Sequence, residues 1–279
     1  LLISLILGLA LYTALFSSCV YEDLSKCSRM FMLQPRYLLH TGEGDRFGEA
    51  VHHIDVYAFD SLGIYRKMFR DKGAHLKNGY RMPIDLPEGK WTFLCLGGKV
   101  GDYEIGIFKT GIPQQFSPAV SPGITTLSDF RVKAYFEQKE NLEYSLGELF
   151  FGRLDSVEIT ADNGGTGVVD LMKNTNKIEV RVKGIADGSS ARITSDNGRF
   201  NSENVTPADA GTIIYVPYYS ASQADDTRVF QFDVLRLYTD GHLFLKLLNP
   251  DGTDVIPGFT KDLINAIMSS PAYHTQEDL

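Results

Sequence analysis

Cysteine is scarce: three residues in 279, at Cys19, Cys27 and Cys95, are too few for a small disulfide-built scaffold. Histidine is nearly as sparse. The one adjacent pair, His52-His53, lies in a strand-like stretch where neighbouring side chains point to opposite faces, so the two rings do not converge on a metal. No G-x-S-x-G elbow, H-E-x-x-H helix or supported cysteine–histidine pairing occurs, so nothing in the residues asks for an enzyme or a cofactor. The stretch Asp251-Gly252-Thr253-Asp254 is too short for an EF-hand loop. Basic residues form no cluster either. Against 35 Asp and Glu the chain sets 27 Lys and Arg, a net charge of −8, which argues against a nucleic-acid partner.

What is present begins with residues 1–19, LLISLILGLALYTALFSSC, which carry no charge at all. This run partitions into a bilayer but is shorter than the ~20 residues of a spanning helix. Small residues and a cysteine follow at once, the way a secretory signal ends. The tetrad Phe16-Ser17-Ser18-Cys19 resembles a bacterial lipobox, in which the cysteine takes lipid and becomes the new N-terminus; Phe16 replaces the usual Leu or Val. The alternatives are a plain signal peptide, a single-pass anchor and a buried helix. No Lys or Arg occurs before Lys26, and Glu22-Asp23 come first, the mark of a translocated flank. Export leaves Cys27 and Cys95 free to form one disulfide, with two separate thiols, Cys95 buried, as the other outcome.

Aromatic residues are plentiful, with 14 Tyr and 17 Phe, and they favour strands. Residues 30–39 read as a first strand at a sheet edge, because Pro35 cannot donate to a ladder. Residues 51–60, 64–69, 80–86 and 90–96 follow as strands, and 101–128 reads as a long surface connection. In 177–183 a strict period of two places Ile178, Val180 and Val182 on one face. Residues 230–238 and 243–248, around Asp240-Gly241, read as a hairpin. Only 261–269 has a helical stripe, through Leu263, Ile264, Ile267 and Met268. The expected fold is therefore all-β: two tandem sandwiches and one short helix near the C-terminus. The divisions are a signal peptide at 1–18, a lipidated tether at 19–27, an N-terminal domain at 28–150 and a C-terminal domain at 151–279, the last without a closing strand.

The order of segments carries a resemblance. Val20–Cys27 (VYEDLSKC), HIDVYAFDSLGIY from His53, IDLPEGKWTFLCLGG from Ile84, LFFGR from Leu149, VDLMKNTNKIEVRVKG from Val169, YVP from Tyr215 and FDVLRLY from Phe232 are similar in kind and order to the FimB-type fimbrial anchor lipoproteins of Bacteroidetes. Two features depart from the pattern: Leu96-Gly97-Gly98 stands where the family has Trp-Ala-Gly, and the family's final strand is missing. The resemblance implies transthyretin-like sandwiches on a surface-facing lipoprotein of the outer membrane, held there by lipid on Cys19. It implies a role in attaching pili and limiting their length, with pilus subunits as partners through β-strand addition. Asp60-Ser61-Leu62 and Asp155-Ser156-Val157 resemble the O-glycosylation triplet of exported Bacteroidetes proteins, with Ser61 and Ser156 as acceptors. A different class of function, a surface carbohydrate-binding module, would display aromatics in a groove, and Tyr215, Tyr218 and Tyr219 are the residues placed for it.

Overall fold

Alternating and continuous apolar stretches form strands in almost every case. The computed structural model describes residues 30–38, 44–109, 115–134, 141–142, 145–160, 164–223, 225–258 and 261–269. The first half holds β1 (Phe31–Tyr37), the single-turn α1 (Phe47–Ala50), β2 (His53–Phe59), β3 (Tyr65–Lys72), β4 (Met82–Ile84) and β5 (Gly89–Gly98). It continues with β6 (Tyr103–Lys109), β7 (Gln115–Ser117), β8 (Phe130–Ala134), β9 (Asn141–Leu142), β10 (Leu149–Ile159) and β11 (Thr166–Lys173). The second half holds β12 (Thr175–Lys183), β13 (Ser190–Ser195), β14 (Arg199–Asn201), β15 (Ile213–Tyr215) and β16 (Tyr219–Ser222). After these come β17 (Thr227–Leu235), β18 (Leu243–Leu248), β19 (Lys261–Asp262) and α2 (Ile264–Met268). The chain is all-β with one short helix near its end. That helix seats Ile264 in the core, and the Asp262 carboxylate accepts the Ile264 N–H at 3.0 Å. Strands β6 and β7 lie within the stretch expected to be a surface connection.

Seven strands join in the order β3-β2-β5-β10-β11-β1-β4. Between β10 and β11 the ladder holds only at Phe150 and Phe151, so the sheet folds over and its halves face each other as a sandwich. Phe31 of β1 stacks on Phe93 of β5 at 5.8 Å between ring centroids, and Tyr37 meets Phe150 edge-on at 4.8 Å. Strand β2 is buried on both faces. Ile54, Val56 and Ala58 enter this sandwich with Leu33 and Val169. Tyr57 and Phe59 point the other way, to Phe130 and Val132 of β8 in a four-stranded sheet ordered β14-β8-β6-β7. Burial on both sides is why β2 and the end of β5 read as nearly continuous apolar runs.

The second sandwich sets β12-β17-β16 against β19-β18-β13-β15-β9. Ile178 of β12 is buried in this core, Val180 and Val182 pack on it, and Phe230 and Phe232 come from β17. The expected hairpin is not one. β17 pairs with β12 and β16, while β18 pairs with β13 and β19, so Asp240-Gly241 turns the chain from one sheet to the facing one. Phe230 and Phe232 then meet Leu243 and Leu245 through the core rather than along a ladder.

Two other expectations change. Strand β1 is flanked by β11, parallel, along Met32 to Tyr37, and by β4 only along Phe31 to Leu33. It is interior at its start, and Pro35 falls where the β4 ladder has ended. The division at 150/151 falls inside β10, which pairs with β5 from Leu149 through Ile159, and β11 carries the same sheet to Lys173. The changeover lies at Asn174. The halves also exchange strands, since β14 pairs with β8 and β9 with β15, and one apolar cluster runs through both.

Candidate assembly edges and modification sites

Cys95 sits on β5 between Val56 and Gly152 of the neighbouring strands. Strand alternation turns its side chain, with Phe93, into the first sandwich core. It is wholly buried and free, and burial pushes its thiol far above the ordinary range. The expected Cys27–Cys95 bond has one of its two ends outside the described residues. Cys19 and Cys27 lie outside the described residues.

Ser61 is exposed in the turn between β2 and β3. Its neighbour Asp60 builds that turn, accepting from the backbone N–H of Leu62 at 2.9 Å, of Ile64 at 3.0 Å and from Arg66 Nε at 2.6 Å. Burial works to raise the Asp60 carboxyl, but the donated bonds from Ile64, Arg66 and Leu62 outweigh it and hold the group below 3.8. Ser156 stands at a bulge where the β10–β5 register shifts between Leu154 and Val157, with φ of 56°, a left-handed conformation that non-glycine residues rarely adopt. Both serines sit at one end of the sheet, because Phe59 pairs with Thr92 and Leu154 with Phe93.

The sheet edges differ in how open they are. At β3 the first residues are covered by the loop 121–127, through Tyr65 N–H to Thr125 O and Gly123 N–H to Tyr65 O, both 2.8 Å. The rest of β3 carries Arg66, Lys67, Arg70, Asp71 and Lys72, and charge discourages pairing. Its partner β2 contributes Asp55, wholly buried, whose two oxygens take Arg70 Nε and Nη2 at 2.6 Å each and whose Oδ1 also meets His53 Nε2 at 2.8 Å. His53 thereby joins the hydrogen-bonded group around Asp55 and Arg70, and no group of three metal-ligating side chains occurs among the described residues. Strand β4 has three residues, one of them Pro83. Strand β12 differs: it pairs with β17 along nine residues, Thr175 to Lys183, and no described strand lies on its other side. This is the longest open edge among the described strands.

The aromatic trio does not form a platform. Tyr215 is wholly buried, donates its hydroxyl to Asn197 Oδ1 at 2.9 Å and accepts the Leu235 N–H at 3.1 Å; burial drives its phenol upward. Tyr219 is exposed on β16. Tyr215, inside the core, shares no surface with the exposed Tyr219.

The junction is a site that sequence patterns did not show. Asn174, wholly buried, donates its N–H to Leu149 O at 2.6 Å in the first lobe and accepts from Arg236 N–H at 2.9 Å in the second. Its side-chain amide exchanges two hydrogen bonds with that of Asn204. Asn204, at φ 59°, offers its carbonyl to Arg236 Nη1 and the Tyr238 hydroxyl. Each amide has a self-complementary partner, which is what makes the burial tolerable.

A family model described as fimbrillin-A associated anchor proteins Mfa1 and Mfa2 matches residues 24–279. The chain belongs to this family. Among curated proteins, the minor fimbrium anchoring subunit Mfa2 of Porphyromonas gingivalis is 24% identical over 284 residues, spanning 97% of this chain and 82% of that protein. The crystallised fimbrial anchor protein Mfa2 of the same species superposes with a TM-score of 0.70 at 20% identity, covering 90% and 88% of the two chains. A Bacteroides thetaiotaomicron structure, described as a candidate polysaccharide-binding protein, gives a TM-score of 0.71 at 21% identity over 89% and 88%. These structural likenesses show that this Mfa2-family chain shares the β fold of both proteins.

Proposed function

We propose that this chain is a fimbrial anchor: lipid on Cys19 holds it at the outer membrane, facing outward, where it attaches a pilus and limits its length. The observation that carries the reading is the family match over residues 24–279, set directly behind a lipobox-like cysteine at position 19. The pilus subunit joins by strand addition along β12, the longest open edge, where main-chain hydrogen bonds supply affinity and alternating side chains supply register. The carbohydrate-binding alternative loses its aromatic platform once Tyr215 is interior. The test is Cys19→Ala in the native host. Labelled fatty acid should no longer enter the protein, and pili should appear in the medium while subunit synthesis and polymerisation continue. Attached pili of normal length on that strain would reject the anchor reading.

A further inference from the structure

Strand directions define which end of the first sandwich faces the tether. β2 ends at Phe59, β5 begins at Gly89, β10 ends at Ile159, and β11 and β1 begin at Thr166 and Phe31; the ladders place all five at one end. The chain from Cys19 therefore arrives at this end, at Met30. The crossing into the second lobe, at Asn174, occurs at the opposite end, where the Asn174 N–H binds Leu149 O. Two loop tips project at the tether end. The turn 60–64 carries Leu62, and the loop 121–127, hydrogen-bonded to it through Leu127 N–H to Gly63 O at 2.9 Å, carries Ile124. Leu62 is 78% exposed and Ile124 73%, the two highest values among the exposed large apolar side chains of the described residues, and Met30, at the same end of the sandwich, is 51% exposed.

Neither tip residue serves the fold. The Asp60 carboxylate and the 121–127 backbone bonds build the two loops without either apolar side chain. We infer that Leu62 and Ile124 dip into the outer leaflet of the membrane that holds the lipidated N-terminus, so that the first sandwich sits on the bilayer by its loop tips and directs the second lobe outward. The inference rests on the lipid-anchor reading. The eleven residue-to-residue steps from Cys19 to Met30 reach at most about 38 Å, enough to let the domain hang free or to let it rest. Contact with lipid by two aliphatic side chains favours rest by about tenfold each. Charge does not steer the contact. Lys90 lies opposite Glu158 on the β5–β10 ladder and Lys67 pairs with Asp85 at 3.5 Å, so both signs are present and a zwitterionic surface suits the end as well as an ionic one.

The test uses the full lipidated chain with Trp91→Phe as background and a single tryptophan at Leu62, Ile124 or Met172. Met172 is an exposed residue at the far end of β11. In phosphatidylcholine vesicles with brominated acyl chains, tryptophan at 62 and 124 should be quenched at least about twofold more than at 172. Equal quenching at all three positions, or none at 62 and 124, overturns the inference. Flotation is read first. A chain that fails to float has lost the lipid-anchor reading, and the same variants starting at Val20, held by a His tag on nickel-chelating lipid, then answer the question of the tips alone. A glycan on Ser61, read by intact mass, would hold Leu62 off the bilayer and also overturns it. So would tips that lipid does not quench but whose Leu62→Asp exchange detaches pili, because they would then contact protein.

Discussion

At the junction end of the first sandwich, two amides are buried; at the tether end, two of the largest aliphatic side chains stand in solvent. Asn174 and Asn204 tolerate burial because each satisfies the other, and because Asn174 also spends its main-chain groups on Leu149 and Arg236. Leu62 and Ile124 have no such internal partner, and the backbone around them is held by Asp60 and by loop-to-loop hydrogen bonds instead. The difference separates what a residue does for folding from what it offers outward. Buried polar groups set one geometry between lobes, whereas exposed apolar groups leave stability nearly untouched and remain available to a surface.

The largest effect expected from breaking this contrast is at the junction. Asn174→Ala leaves the Asn204 amide without its partner in a nearly dry site and should cost about 2–3 kcal/mol. Urea unfolding reads the loss, and separation of one transition into two would show that the lobes have uncoupled. A loss under about 0.5 kcal/mol would mean that the shared apolar core alone holds the junction.

A smaller effect belongs to the tether-end turn. Asp60→Ala removes three acceptor bonds of a partly exposed group and should cost about 1 kcal/mol at neutral pH. Because the folded carboxyl lies below 3.8, the unfolded chain takes up the proton first as pH falls. The stabilisation is therefore present above about pH 3.8 and fades as pH drops through the lower folded value. Stability curves of the native chain and the variant should converge in that acid range; curves that stay parallel would remove the carboxylate from the account. The smallest effect is at the tips themselves. Leu62→Asp with Ile124→Asp should change unfolding free energy by less than about 0.5 kcal/mol, and a larger loss would show that the tips pack rather than present.

Much of the secondary structure was legible because it is written in local alternation. Ile178, Val180 and Val182 announce β12 and the face it buries, and Leu263, Ile264 and Ile267 announce the helix at Ile264–Met268. The candidate site was legible only in part. Charges on β3 mark a guarded edge, but the openness of β12 depends on which strands pair elsewhere. Nothing local distinguishes Asn174 from other polar residues between strands, and nothing marks Leu62 as more exposed than Leu94.

By itself the sequence determined composition, charge balance, strand periodicity and the family to which the chain belongs, since each is a property of neighbouring residues or their order. Only the tertiary structure decided that Pro35 falls beyond the β4 ladder, that β17 and β18 face each other across a core instead of pairing, and that the lobes change over at Asn174. These depend on partners far apart in the chain, as when Arg36 of β1 binds Asp170 of β11 across 134 residues. Pairing of that kind is selected by what remains to be buried once the whole chain has collapsed, and no local period encodes it.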